Sequence, residues 1–273
     1  MMKLRYFLPF LALSATLRTT AAEPPRLVVQ IVVSSMRAED LNRYAGNFSD
    51  EGFLRLVRGG TFYPESHYDY LHTSTPVSLA TLTTGANPSV HGIVARDRFN
   101  AAQFQVIVNS FLCAQHGPGE WVVDYEDNNL YLNHTLIYNK GLDLAAIQNE
   151  AATFAMQFRG VSHALSSTAM RSSYFGSGYG EKMQNSFYPR RSGDVVVNLM
   201  PGCIEERPDV RSKSGSMYGY DTTVPLVLYG GGIPARRVGR SVDMTSVAPT
   251  LAYLLDIPEP AASEGTVLEE FRK

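Results

Sequence analysis

The chain has 273 residues, a formal net charge of −2, 44% hydrophobic and 18% charged residues, enough to bury the core of one ordinary globular domain. The near balance of charge excludes the basic face of a nucleic-acid binder and the long acidic run of a disordered tail. No internal repeat or low-complexity stretch is present.

The N-terminus carries the pattern of a secretory signal. Lys3 and Arg5 precede an apolar run from Tyr6 to Leu17, and Thr20-Ala21-Ala22 supplies small residues for cleavage. This predicts a signal over 1–22, a mature chain over 23–273 starting at Glu23, and export across the inner membrane to the periplasm. The run is shorter than the roughly 20 residues of a spanning helix, and no later run reaches that length. An uncleaved interfacial anchor is the competing reading. No transmembrane segment is expected after cleavage. Cys113 and Cys203 lack the spacing of a metal knuckle; they read as two lone buried thiols, with pairing left open.

Leu27 to Val33 (LVVQIVV) has the β-branched content of a strand buried on both faces. A helical pattern follows from Glu39 to Val57 and stops at Gly59-Gly60. Thr61 to Tyr70 reads as a second strand and loop. Val77 to Thr84 reads as a helix ending at Gly85, and 86–104 as loop with a turn at Asn87-Pro88. Phe104 to Leu112 fits helix or strand. Leu130 to Asn133 reads as a short strand, Leu142 to Phe158 as a helix, and Arg171 to Arg191 as an ordered loop. Asp194 to Leu199 and Val224 to Tyr229 are buried-strand patterns, and Thr245 to Leu255 a closing helix. The alternation predicts an α/β fold with a mostly parallel sheet and helices on both faces.

The stretch with chemical content is Thr73 to Ile93, TSTPVSLATLTTGANPSVHGI. Thr75 before Pro76 is the pattern of an N-cap followed by proline at the first helical position. As a cap, Thr75 is structural. The same geometry also places a hydroxyl where backbone N–H groups and the helix dipole favour phosphate. Threonine is a weak nucleophile unless a base or metal activates it.

In order, VVSSMR (32–37), GGTFYPESHYDY, the threonine–proline helix and TGANPSVHGI (84–93) resemble the N-terminal part of the alkaline phosphatase superfamily, nearest its bacterial phosphate-irrepressible members. Type I phosphodiesterase/nucleotide pyrophosphatases share the pattern. RRSGDVVVNLMPG (190–202), SGSMYGYDTTVPLVLYGGGI (214–233) and TSVAPTLAYLLDIPEP (245–260) resemble the family's closing segments. The resemblance implies an abridged alkaline-phosphatase-like core. Family enzymes attack phosphorus in line with a threonine or serine, activated by two zinc ions that aspartates and histidines hold.

Carried over residue by residue, the resemblance puts the nucleophile position at Thr75, with Ser74 a weaker candidate. The family's first-strand aspartate, a metal ligand, falls on Ser34. The histidine of its late HGS motif falls on Ser214. The asparagine that helps hold phosphate falls on Arg96. The long central segment with the remaining ligands is missing. FLCAQHG (111–117) reads as the helix leading into GPGEWV; aligned instead with the family's aspartate–histidine–glycine block, it makes His116 one surviving ligand and puts Gln115 at the aspartate. His91 reads as a turn-shaping residue, Asp221 as fixing a loop, and His134 and His163 as ordinary, while His67 and His72 flank the strand before Thr75 and could be recruited by a stray metal, though nothing requires it.

Three readings compete. The first is an exported, non-catalytic scaffold that keeps no zinc and takes a partner or a phosphate-bearing ligand. The second is a metal-dependent phosphomonoesterase or phosphodiesterase using Thr75. The third is an inactive deletion remnant. Ligand count separates them, since a catalytic zinc normally needs three protein ligands.

Overall fold

A computed structural model describes residues 27–71, 73–93, 102–203 and 215–272. The predicted signal over 1–22 lies outside these residues. The α/β class holds: strands and helices alternate along the chain. The sheets differ from the expectation. There are two four-stranded sheets instead of one, and their pairing is mainly antiparallel.

The sheet nearer mid-chain is built from contiguous sequence. Its strands are β2 (Val122–Glu126), β3 (Asn129–Leu132), β4 (Val161–Ser166) and β5 (Val195–Leu199), in the order β2-β3-β5-β4. All three pairings are antiparallel. The β2–β3 turn takes Asp127 and Asn128 at φ of 47° and 61°, the double positive φ of a tight hairpin whose twist matches its strands. β5 is buried along nearly its whole length because strands flank it on both sides. Helix α5 (Ala102–His116) and helix α7 (Leu144–Ala155) pack on this sheet. The Asp143 carboxylate accepts the N–H groups of Ala145 and Ala146 at 3.2 and 3.3 Å, which starts α7. Ile147, Gln148, Ala151, Ala152 and Ala155 then form its buried stripe. Helix α6 (His134–Asn139) joins β3 to α7 and is capped by the Asn133 side chain. Trp121, Leu112, Leu130 and Ile137 are fully buried in this core.

The other sheet joins the two ends of the chain. Strand β1 (Thr61–His67) lies at its centre. It pairs antiparallel with β6 (Thr223–Leu228) on one edge. On its other edge it pairs in parallel with the two-residue strands β7 (Arg236–Arg237) and β8 (Val242–Asp243). The β1–β6 register shifts between Tyr63 and Ser66, around Pro64, which has no N–H for the ladder. Helix α3 (Thr75–Thr84) packs with helix α11 (Val247–Leu255), burying Tyr70, Val77 and Leu82 with Met244 and Val247. Gly85, at φ 69°, ends α3 in the left-handed conformation, with its N–H on the Thr81 carbonyl.

Several expectations need correction. The helical pattern over Glu39 to Val57 is broken into α1 (Asp40–Arg43), a single 3-10 turn and α2 (Phe53–Gly59). Arg171 to Arg191 is not all loop: α8 (Ser167–Ser172) ends within it, and it contains α9 (Gly178–Asn185). β6 is only half-buried, because its outer edge has no strand partner among the described residues. The loop expected over 86–104 contains a short helix, α4 (Pro88–His91). A one-turn helix, α10 (Gly219–Thr222), leads into β6.

The largest difference is at Leu27 to Val33. These residues form no strand among the described residues. Leu27, Val29 and Ile31 are 77%, 70% and 69% exposed, while Val28, Val32 and Val33 are 41–44% exposed. That two-residue alternation is the signature of extended chain. Composition supplies the conformation, but a strand also needs a ladder partner, and none is present among the described residues. Cys113 is half-buried and Cys203 exposed, both as free thiols; the expected burial fails for Cys203.

Candidate functional site

Helix α3 begins one residue earlier than the capping pattern implies. Ser74, with extended backbone (φ −63°, ψ 155°), is the N-cap; Thr75 is the first helical residue and Pro76 the second. The Ser74 side chain makes no capping bond. The first turn closes through the Ser78 N–H on the Ser74 carbonyl at 2.9 Å. Helix geometry leaves the early N–H groups without intrahelical partners. Pro76 has none to offer, so Thr75 and Val77 supply them.

The Thr75 hydroxyl meets the Ser34 hydroxyl at 3.2 Å. Ser34 directly follows the exposed apolar segment, and Ser35 turns the chain at φ 59°. The Arg37 N–H then bonds the Asp40 carboxylate at 2.9 Å and starts α1. Thr75 therefore stands beside the end of the Leu27 to Val33 segment, which is not a sheet strand among the described residues. Ser34, Thr75 and Arg37 line one cavity of about 1210 Å³, together with Thr73, Tyr68 and Asp221. Burial pushes the Tyr68 phenol up to about 12, so it keeps its proton at neutral pH. The hydroxyl oxygens of Thr73 and Ser74 are enclosed without a hydrogen-bond partner among the described residues. Unpaired buried polar atoms are costly, and these two flank the helix N-terminus.

The donor set at this point does not fit zinc. Ser34 and Thr75 are neutral hydroxyls, whereas zinc takes thiolate, imidazole and carboxylate donors that largely offset its charge. Among the described residues, no three of His, Cys, Asp and Glu converge. His116 is placed elsewhere. It ends α5, with its Nε2 2.7 Å from Glu150 and its ring 5.5 Å from Trp121, and it does not line the cavity. FLCAQHG is therefore the end of a helix, with Gly117 at φ 88° just beyond it. Ser214 and Arg96 lie outside the described residues.

The remaining polar residues have structural partners. His91 Nδ1 accepts the Ile93 N–H at 3.0 Å, which fixes the neutral ring's proton on Nε2, 3.3 Å from Thr81 Oγ1. Burial lowers its pKa from the ordinary 6.5. The turn-shaping role expected for His91 is what this geometry shows. Asp221 accepts from the Ser216 N–H and hydroxyl, fixing the loop before β6. Arg191 donates to the Gly92 carbonyl. His67 lies 3.0 Å from the Ser241 hydroxyl.

A cluster around Asp194 was not visible in the sequence. Its carboxylate accepts from Gln148 Nε2 at 2.6 Å and from the Leu132 N–H at 2.7 Å, and it meets His134 Nε2 at 2.7 Å. Asp194 stands just before β5, and its partners come from β3, α6 and α7. Only tertiary packing brings them together.

Residues 28–139 match the type I phosphodiesterase / nucleotide pyrophosphatase family. Alkaline phosphatase PafA of Elizabethkingia meningoseptica is 36% identical over 83 residues, 30% of this chain and 15% of that protein. Alkaline phosphatase PhoK of Sphingomonas is 31% identical over 117 residues, 42% of this chain and 21% of that protein. These matches therefore span only 15% and 21% of the relatives' own lengths. A solved structure of wild-type PafA superposes with a TM-score of 0.82 at 12% identity, covering 92% of this chain and 99% of that one. At that identity the superposition speaks for the fold. Over residues 28–139 the chain is therefore similar in sequence to the type I phosphodiesterase / nucleotide pyrophosphatase family, over shorter stretches it is similar to bacterial alkaline phosphatases, and its fold is similar to that of PafA.

Proposed function

We propose that this is an exported member of the superfamily that binds a phosphate-bearing ligand at the start of α3 without hydrolysing it. The observation that carries the reading is the Ser34–Thr75 hydrogen bond of 3.2 Å. At the nucleophile position, the partner of the threonine is a second neutral hydroxyl instead of a carboxylate able to hold a metal. Among the described residues, no carboxylate or imidazole is bonded to the Thr75 hydroxyl that could hold a Lewis acid or act as its base.

Binding is a smaller demand than catalysis. The Thr75 N–H, the enclosed Thr73 hydroxyl and the Arg37 guanidinium, from three residues that line one cavity, are the kind of donors a phosphate oxygen takes. The dipole contributes about 0.3–1 kcal/mol, whereas catalysis requires lowering a barrier by roughly 8 kcal/mol or more. Export to the periplasm, with a mature start at Glu23, belongs to the same proposal and rests on the sequence of residues 1–22.

The test is one preparation of mature protein measured three ways: zinc content, turnover of p-nitrophenyl phosphate, and titration with inorganic phosphate by calorimetry. The reading expects substoichiometric zinc, background turnover, and weak phosphate binding that Thr75→Ala and Arg37→Ala reduce. Zinc-dependent turnover that Thr75→Ala abolishes would establish the phosphatase reading instead.

A further inference from the structure

We infer that Tyr220 is a positioning residue for phosphate: its ring holds the Arg37 guanidinium at the cavity that Ser34 and Thr75 line. The inference rests on the phosphate-binding reading above and adds the residue that orders its arginine.

Arg37 has little else to fix it. Its guanidinium stands 3.8 Å from the Glu39 carboxylate, and the two side chains are 51% and 58% exposed. Exposed ion pairs of that kind contribute little. The guanidinium carbon lies 6.0 Å from the centre of the Tyr220 ring, within reach of the attraction between a cation and an aromatic face. An arginine resting on a ring by its face keeps its N–H fork free for the oxygens of a phosphate. Arg37 and Tyr220 both line the cavity with Ser34 and Thr75.

The ring is itself anchored. Tyr220 belongs to α10, and its phenol oxygen accepts the Gly202 N–H at 3.2 Å. Tyr218 stacks on it, with ring centres 5.7 Å apart and planes inclined by 24°. Tyr218 is buried. Its hydroxyl donates to the Leu199 carbonyl at 2.7 Å and accepts from Asn198 Nδ2 at 3.0 Å, both at the end of β5. Tyr179 meets Tyr218 edge-on at 5.8 Å. A line of fixed groups therefore runs from the mid-chain sheet through two rings to Arg37. A side chain ordered before its ligand arrives loses less freedom on binding. Without the ring, phosphate would have to order Arg37 itself.

Titration of the mature chain with inorganic phosphate at fixed ionic strength tests this. Tyr220→Leu should weaken binding about threefold to fivefold. Tyr220→Phe keeps the ring and loses only the bond to Gly202, so it should restore most of the affinity. In an Arg37→Ala background, Tyr220→Leu should have no further effect. Tyr220 is 42% exposed, so the variants should fold, with an unchanged circular dichroism spectrum. A second readout needs no ligand. In nuclear magnetic resonance spectra the ring current of Tyr220 should displace the Arg37 side-chain signals, assigned by their loss in Arg37→Lys. Tyr220→Leu should return them to the ordinary position. Undisplaced Arg37 signals, or phosphate binding indifferent to Tyr220→Leu, would overturn the inference and leave the phosphate reading standing. A loss of affinity that persists in the Arg37→Ala background would show a ring that only supports the fold, and would overturn it too. An unmutated chain that binds no phosphate would overturn both.

Discussion

Ser34 and Thr75, 41 positions apart, bring their hydroxyls within 3.2 Å of each other at the start of α3. Removing the Thr75 hydroxyl takes away this bond but no helix cap, since Ser74 holds the N-cap position. Thr75→Ala should therefore change unfolding free energy by no more than about 0.5 kcal/mol, as at other exposed sites. Urea denaturation checks this. Restoring a carboxylate with Ser34→Asp should still leave zinc substoichiometric by elemental analysis, because one added ligand falls short of the three a catalytic site needs.

Asp194 should be among the most sensitive positions in the chain. Asp194→Ala leaves the Leu132 N–H and Gln148 Nε2 without their acceptor in a buried setting. We expect a loss of roughly 3 kcal/mol or more, read as a fall in the thermal midpoint. Asp194→Asn keeps one acceptor oxygen and should cost less, about 1–2 kcal/mol.

His91 gives a pH dependence of definite sign. Burial holds its folded pKa below the ordinary 6.5, so the unfolded chain takes up the proton first. Its contribution to stability is full above that unfolded value and is lost as pH falls through it toward the lowered folded value. Denaturation midpoints measured from pH 7.5 down to 5.5 should decline. His91→Asn should be less stable at pH 7.5 and show a shallower decline over that window.

Gly85 should not tolerate a side chain. Its φ of 69° is strained for other residues, and a Cβ there would stand 2.9 Å from the Thr245 carbonyl oxygen. Gly85→Ala should destabilise by about 2 kcal/mol, with thermal melting as the readout.

Local signals were legible in the sequence where one residue fixes the backbone. Gly85 ends α3 where the structure has it, and the alanine-rich helix expected over 142–158 is present as α7. Ser34 and Thr75 could be paired in advance only through family resemblance, since nothing in their spacing brings them together. Leu27 to Val33 misled because β-branched content reports conformation, while burial depends on neighbours drawn from the rest of the chain. The Asp194 cluster was invisible for the same reason: Gln148 and His134 look like ordinary surface residues until α6 and α7 fold over β5. Strand direction was misread because the two ends of the chain close a sheet separate from the one between them.

That division has a consequence for how the protein is made. Every strand of the β2-β3-β5-β4 sheet, and the helices α5 and α7 that cover it, come from one uninterrupted stretch. This half can acquire its core as soon as that stretch has emerged, at a low entropic cost of loop closure. β1 emerges earlier yet must wait for β6, and later for β8, before it has neighbours. During synthesis the N-terminal strand is therefore the last-satisfied part of the molecule, the interval in which a chaperone would find its binding site.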